Sequence, residues 1–133
     1  MSKYMKQAYK NAQQSCDPKH KTGAVIVNKG GVVTFGINTC DVEIDWFNKE
    51  EKSMVLHAEQ IAIMQYLALH HRFDDPVMYV TMEPCLNCLK YANYAGIKKI
   101  FYDQPIRPRY DEPMRMEFVK RAGIELRREV DED

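Results

Sequence analysis

Val77-Met78-Tyr79-Val80-Thr81, then Pro84-Cys85-Leu86-Asn87-Cys88 running on to Gly96, then Ile97 to Tyr102, form the stretch that decides the fold. The outer runs are rich in β-branched and aromatic residues and read as strands. Residues 85 to 95 between them read as a helix stopped by Gly96. A strand, a helix and a second strand in that order require parallel neighbours, because antiparallel ones would be joined by a short turn.

Towards the C-terminus, Asp103 to Pro113 holds three prolines and cannot be regular. Met114 to Ala122 follows as a helix stopped by Gly123, and Ile124 to Arg128 as a last strand. Towards the N-terminus, His57 to about His71 is a helix apolar on most sides, which predicts deep packing. Residues 39 to 56 show no clear period and read as a loop with a turn of helix, a length usual for functional loops. Ala24-Val25-Ile26-Val27 and Val32-Val33-Thr34-Phe35 form a hairpin about Asn28-Lys29-Gly30-Gly31, and Gly36-Ile37-Asn38 leaves the second strand. From Ser2 to Ser15, Tyr4, Met5, Ala8, Tyr9 and Ala12 recur at helical spacing before Asp17-Pro18. The order α, β, β, α, β, α, β, α, β predicts a three-layer α/β/α sandwich with a mixed five-stranded sheet, in one domain spanning 1–133.

Composition narrows the function. With 19 basic and 19 acidic side chains there is no net positive charge to track a phosphate backbone, so a small molecule is favoured over polymeric nucleic acid. The apolar runs are too short to span a bilayer, and Met1-Ser2-Lys3-Tyr4 lacks the apolar core of a secretory signal, which predicts a cytoplasmic protein. Two of the four cysteines stand in a C-x-x-C pair, a spacing that in the cytosol favours metal or redox chemistry over a structural bridge.

A catalytic zinc takes three protein ligands and leaves a fourth position open, whereas structural zinc is closed by four. His57, Cys85 and Cys88 supply three, and Glu59 is left as a proton carrier. Cys85 and Cys88 share a helix face if Pro84 marks the helix start. His57 and Glu59, two apart, converge only in a first turn, so both motifs are predicted at helix N-termini, whose dipoles stabilise thiolates. His70 and His71 read as helix-end caps; a second zinc drawing Cys16 or Cys40 together with a histidine is the alternative.

His57-Ala58-Glu59 followed by Pro84-Cys85-Leu86-Asn87-Cys88 resembles the signature of the zinc-dependent cytidine and deoxycytidylate deaminases. Ser15-Cys16-Asp17-Pro18, Gly23 to Asn28, Tyr79 to Cys85, Ala95 to Lys99 and Arg121 to Ile124 narrow the resemblance to deoxycytidylate deaminases. That resemblance implies hydrolysis of dCMP to dUMP and ammonia, with one zinc and Glu59 moving the protons. It also implies a hexamer, activated by dCTP and inhibited by dTTP, with Mg²⁺ on the effector triphosphate.

By the same resemblance Asn38 bonds the substrate sugar, the backbone at Ala24 and Ala58 touches the base, and Glu83 offers its carbonyl to the leaving amine. Asn38, Lys19 and Lys21 mark the effector side. On residue type alone Asn38 reads as an asparagine leaving the strand in left-handed geometry. The sequence has Gly36-Ile37-Asn38-Thr39 where those deaminases carry a second glycine, and a short loop follows, so regulation is less clearly implied than catalysis. Arg107, Arg109 and Tyr110 lie in the proline-rich loop, where an arginine fork suits phosphate oxygens and a tyrosine suits the base or the phosphate.

Three rival readings stay open. A deaminase of adenosine in tRNA or of a free base shares the motif. A zinc-stabilised binding module would close the metal with four side chains and not need Glu59. A thiol-disulfide oxidoreductase would use Cys85 and Cys88 without metal.

Overall fold

The computed structural model describes residues 1–31, 33–69, 75–107 and 112–129. Four helices, α1 (Lys3–Ala12), α2 (Ala58–Ala68), α3 (Leu86–Tyr94) and α4 (Arg115–Ala122), alternate with β1 (Gly23–Val27), β2 (Val33–Ile37), β3 (Val77–Met82), β4 (Lys99–Gln104) and β5 (Glu125–Arg128). The sheet order is β2-β1-β3-β4-β5. β1 is antiparallel to β2 and β3, while β3, β4 and β5 are mutually parallel. The mixed five-stranded sheet is therefore as expected, with the two crossovers running through α3 and α4.

Alternation along the strands sends side chains to two unequal layers. Ala24 and Ile26 of β1, Met78 and Val80 of β3 and Ile100 of β4 meet Ala62, Tyr66, Leu89, Ala92 and Val119 from α2, α3 and α4. On the other face Tyr4 of α1 lies against Tyr79, and Tyr79 stacks on Phe101, with ring centroids 5.4 and 5.3 Å apart. Met5, Ala8 and Ala12 bury the rest of the α1 face. Ser2 caps this helix by accepting from the Met5 N–H at 3.1 Å.

α2 lies so close to β2 that only glycine fits at position 36. A methyl group there would sit 2.0 Å from the Ala58 carbonyl oxygen and 2.7 Å from the Ala62 nitrogen. Both are backbone atoms and cannot swing aside, so the whole helix would have to move. Gly36→Ala is expected to cost about 3 kcal/mol or more, at or beyond the upper end for overpacking, read as a loss in urea midpoint.

Some elements differ from expectation. Ile97 and Lys98 precede β4 rather than belonging to it, because the Ile97 N–H is spent on the α3 cap. Gly96 is left-handed (φ 86°), its N–H reaches Asn93 O at 3.0 Å, and the Ile97 N–H reaches Ala92 O at 2.9 Å. The same device ends α4, where Gly123 (φ 71°) precedes the Ile124 N–H bonded to Val119 O at 3.1 Å. Val32, assigned to the second strand, lies outside the described residues, and Gly36 and Ile37 remain inside that strand. α2 buries Ala62, Ile63 and Tyr66 but leaves Met64 exposed, so its apolar surface is only partly covered. No helix among the described residues is long and apolar enough to cross a membrane.

Candidate metal centre

The two short motifs open the two neighbouring helices α2 and α3. His57 is the extended N-cap of α2 (φ −76°, ψ 152°), and its N–H is held by the Gln60 side chain at 2.9 Å. Cys85 is the extended N-cap of α3 and Cys88 stands three residues on. The helix begins at Leu86, so Pro84 lies one residue before the cap rather than on the first turn. Both positive helix ends thus point at one place, as the spacing predicted.

There His57 Nδ1 lies 3.2 Å from Cys88 Sγ and 3.7 Å from Cys85 Sγ. All three donor atoms fall within 4.8 Å of one another. With Zn–S near 2.3 Å and Zn–N near 2.0–2.1 Å, tetrahedral ligands stand about 3.6–3.8 Å apart, so the donor set and its spacing fit zinc. Among the described residues this group holds three ligands, with Glu59 outside it, which matches an open site rather than a closed one. The alternative second zinc gains no such group among the described residues: Cys16 is exposed, and the Cys40 sulfur sits 3.5 Å from the Met54 carbonyl. His70 and His71 lie outside the described residues.

The two thiols are shifted in opposite directions. The hydrogen bond from Cys88 lowers Cys85 to about 4 despite its burial, with His57 adding to the effect. The same bond and burial push Cys88 up. The bond to Cys85 raises His57. Glu59 is 4% exposed, and burial lifts its carboxyl above the ordinary range, partly offset by His57. A carboxyl raised towards neutrality beside an open metal position suits proton transfer in both directions.

From this centre opens a cavity of about 470 Å³ whose lining mixes the cations Lys49, Lys52 and Arg107 with the acids Asp17, Glu59, Glu83 and Glu112. Ala58, Glu59 and Cys85 line one end, and His20, Lys49, Lys52 and Arg107 line it elsewhere. The Arg107 guanidinium nitrogens lie 2.8 and 2.5 Å from the two ring nitrogens of His20. Asn38 lines the cavity too and is not left-handed; Asp75 is the one non-glycine residue with positive φ among those described. The Asn38 amide donates to His20 O at 2.8 Å and accepts from Thr22 N–H at 2.9 Å. An amide has two donors and two acceptor sites, so half its capacity remains.

The other expected residues are placed as follows. Ala24 is fully buried in the core through β1, and Thr22 rather than Ala24 lines the cavity. Glu83 lines it, with its carboxylate 2.8 Å from Arg115. Lys21 donates to Ser15 O at 2.5 Å, and the Lys19 ammonium lies 5.7 Å from the Phe47 ring centre. Arg109 and Tyr110 lie outside the described residues. Not foreseen were Thr22, Lys49, Lys52, Ser53 and Arg115, or His20 as a wall residue. Lys52 and Ser53 come from a short 3-10 helix over Glu51–Met54, Arg115 from the start of α4 and the others from loops, and no local pattern points to them.

Asp17 organises this wall. It is 2% exposed, accepts from the Lys19 and His20 N–H groups at 2.9 and 3.0 Å, and pairs with Lys52 at 3.0 Å. Burial alone would raise its carboxyl, but these partners outweigh burial and hold it below the ordinary aspartate range. A depressed folded-state value stabilises the fold above the unfolded pKa, and that contribution is lost as pH falls through the folded value. Asp17→Asn is therefore expected to lower the melting temperature at pH 7, and the gap to the parent should close as the pH is taken below the ordinary aspartate range. Parallel thermal melts across that range check this.

Comparison with known proteins gives consistent matches. Residues 1–104 match the family described as the cytidine and deoxycytidylate deaminase zinc-binding region. The Homo sapiens deoxycytidylate deaminase is 32% identical over 111 residues, covering 74% of this chain and 61% of that protein. A tRNA-specific adenosine deaminase of Rickettsia typhi is 33% identical over 101 residues, covering 74% and 64%. The chain thus spans less than two thirds of the length of either relative. The dCMP deaminase of cyanophage S-TIM5, solved in complex with dCMP and dUMP, superposes with a TM-score of 0.73 at 28% identity, covering 95% of this chain and 93% of that one.

Proposed function

This chain belongs to the cytidine and deoxycytidylate deaminase zinc-binding family, and from that premise we propose that it hydrolyses dCMP to dUMP and ammonia. One observation supports the choice of substrate: a three-ligand metal centre with a buried carboxyl opens into a 470 Å³ cavity that also holds Lys49 and the Arg107–His20 pair, groups suited to a phosphate. A volume of that size suits a mononucleotide.

Zinc on His57, Cys85 and Cys88 would supply an acidified water as nucleophile. Glu59 takes one proton from the attacking water and passes it to N3 of the pyrimidine, then takes the second from the hydroxyl now on C4 and passes it to the amine, which leaves as ammonia as the C4–N bond breaks. The backbone at Ala58 lies against the base and the Glu83 carbonyl receives the amine. The Asn38 amide, oriented by the loop at His20 and Thr22, spends its remaining capacity on the sugar. Arg107, with Arg109 and Tyr110 of the same loop, holds the phosphate, supported by His20 and Lys49.

The same proposal includes self-association, with the exposed Met64 flank of α2 between copies, and a cytoplasmic setting. Control by dCTP and dTTP, with Mg²⁺ on the triphosphate and Asn38, Lys19 and Lys21 nearby, is its outermost part.

The test incubates purified protein with dCMP, CMP, dCTP, cytosine, deoxycytidine, adenosine and an adenosine-bearing tRNA anticodon stem-loop, and follows ammonia release. Turnover of dCMP above all others is expected. Preference for the stem-loop would assign the chain to the tRNA branch instead. Adding dCTP or dTTP with Mg²⁺ reads the regulatory part, and light scattering reads the association.

A further inference from the structure

We infer that the buried ion pair of Glu83 and Arg115 is a positioning device that aligns the Cys85 side of the metal centre with the Arg107 wall of the cavity. The two side chains are 9% and 4% exposed and meet at 2.8 Å. Each also grips a backbone group. The second Glu83 oxygen accepts from the Ile106 N–H at 3.2 Å, and the Arg115 Nη1 donates to Pro84 O at 3.3 Å. Pro84 immediately precedes the metal ligand Cys85, and Ile106 immediately precedes Arg107.

Stability alone does not call for this arrangement. Burying two charges forfeits most of what their attraction returns, and an apolar pair of similar volume is often as stable. What an apolar pair cannot do is bond the carbonyl next to Cys85 and the N–H next to Arg107 at the same time. Arginine suits the task because its planar fork reaches the carboxylate and the Pro84 carbonyl together, which a lysine ammonium does poorly. The same helix carries a built-in contrast: Arg121 and Glu117 pair at 3.0 Å on its exposed face.

The inference rests on the dCMP reading for what occupies the cavity, but its metal readout does not. The experiment replaces Zn²⁺ with Co²⁺, whose thiolate charge-transfer absorption reports ligand geometry, in the full chain. It compares the parent, Arg115→Lys, the doubly neutralised Glu83→Gln/Arg115→Met and the surface control Glu117→Gln/Arg121→Met. Both buried-pair variants are expected to shift the cobalt spectrum and lower kcat on dCMP at least tenfold. KM should rise at least fivefold for dCMP and less than twofold for deoxycytidine, which lacks the phosphate. The surface control should match the parent throughout.

The double variant leaves no unpaired buried charge and keeps the test meaningful if Arg115→Lys folds poorly. If the folded double variant shows the parental cobalt spectrum and a kcat/KM within twofold of the parent, the pair is packing alone and the inference is wrong. If the parent itself ignores dCMP, the functional reading fails, while the cobalt spectra still decide the positioning role.

Discussion

Glu59→Gln is expected to retain one zinc per chain and to release ammonia from dCMP at least about a thousandfold more slowly than the parent, as general acid–base catalysis contributes about 10²–10⁴-fold. The substitution conserves volume at a buried position, so the packing beside Ala58 and Cys88 is undisturbed. Glutamine also keeps an oxygen that can accept a hydrogen bond, so only proton transfer is removed. Two transfers are asked of this one group, onto the ring and onto the departing amine, which places the loss towards the upper part of that range. Metal analysis of the purified variant, set beside its ammonia-release rate, checks both halves. A variant that deaminates at the parental rate would remove Glu59 from the chemistry.

Cys88→Ser is expected to do more: to abolish stoichiometric zinc and, with it, detectable turnover. Its sulfur is fully buried and stands 3.2 Å from His57 Nδ1, so it belongs to the metal cluster and to the core at once. A serine hydroxyl fills the space but does not ionise to give a soft anionic ligand, and two remaining ligands do not hold a catalytic zinc against a chelator. The measurement is competition with a chromophoric chelator. Retained parental affinity would mean that the metal is held elsewhere. Turnover by metal-free protein would support neither a zinc mechanism nor the rival binding module.

The parts of this molecule readable in the sequence are those whose causes are local. The strand-helix-strand run from Val77 to Tyr102 announces itself because side-chain branching and a stop glycine act on neighbouring residues. The metal ligands are legible because a tetrahedral ion tolerates few spacings, and His57 with Cys85 and Cys88 satisfies one of them. Ile97 misled because a β-branched residue looks the same in a strand and in a helix cap; the deciding bond to Ala92 O depends on Gly96 being left-handed. Met64 misled because α2 is apolar around its circumference, which reports no direction of burial. Arg115 and Lys52 were illegible for another reason. Their partners, Glu83 and Asp17, lie 32 and 35 residues away in the chain, and no periodicity links them.

The two helix starts that hold His57, Cys85 and Cys88 are seated on the sheet, one of them wedged against Gly36 with no room for a methyl group, whereas His20, Lys49 and Arg107 enter the same cavity from loops. The metal-ligating residues thus rest on regular structure and Arg107 on a loop, and the Glu83–Arg115 pair bonds the backbone next to each. On the proposed reading, an exchange of loops meant to admit a different nucleobase-bearing compound would have to keep the Ile106–Glu83–Arg115–Pro84 connection intact, since that connection reaches the residue beside a metal ligand.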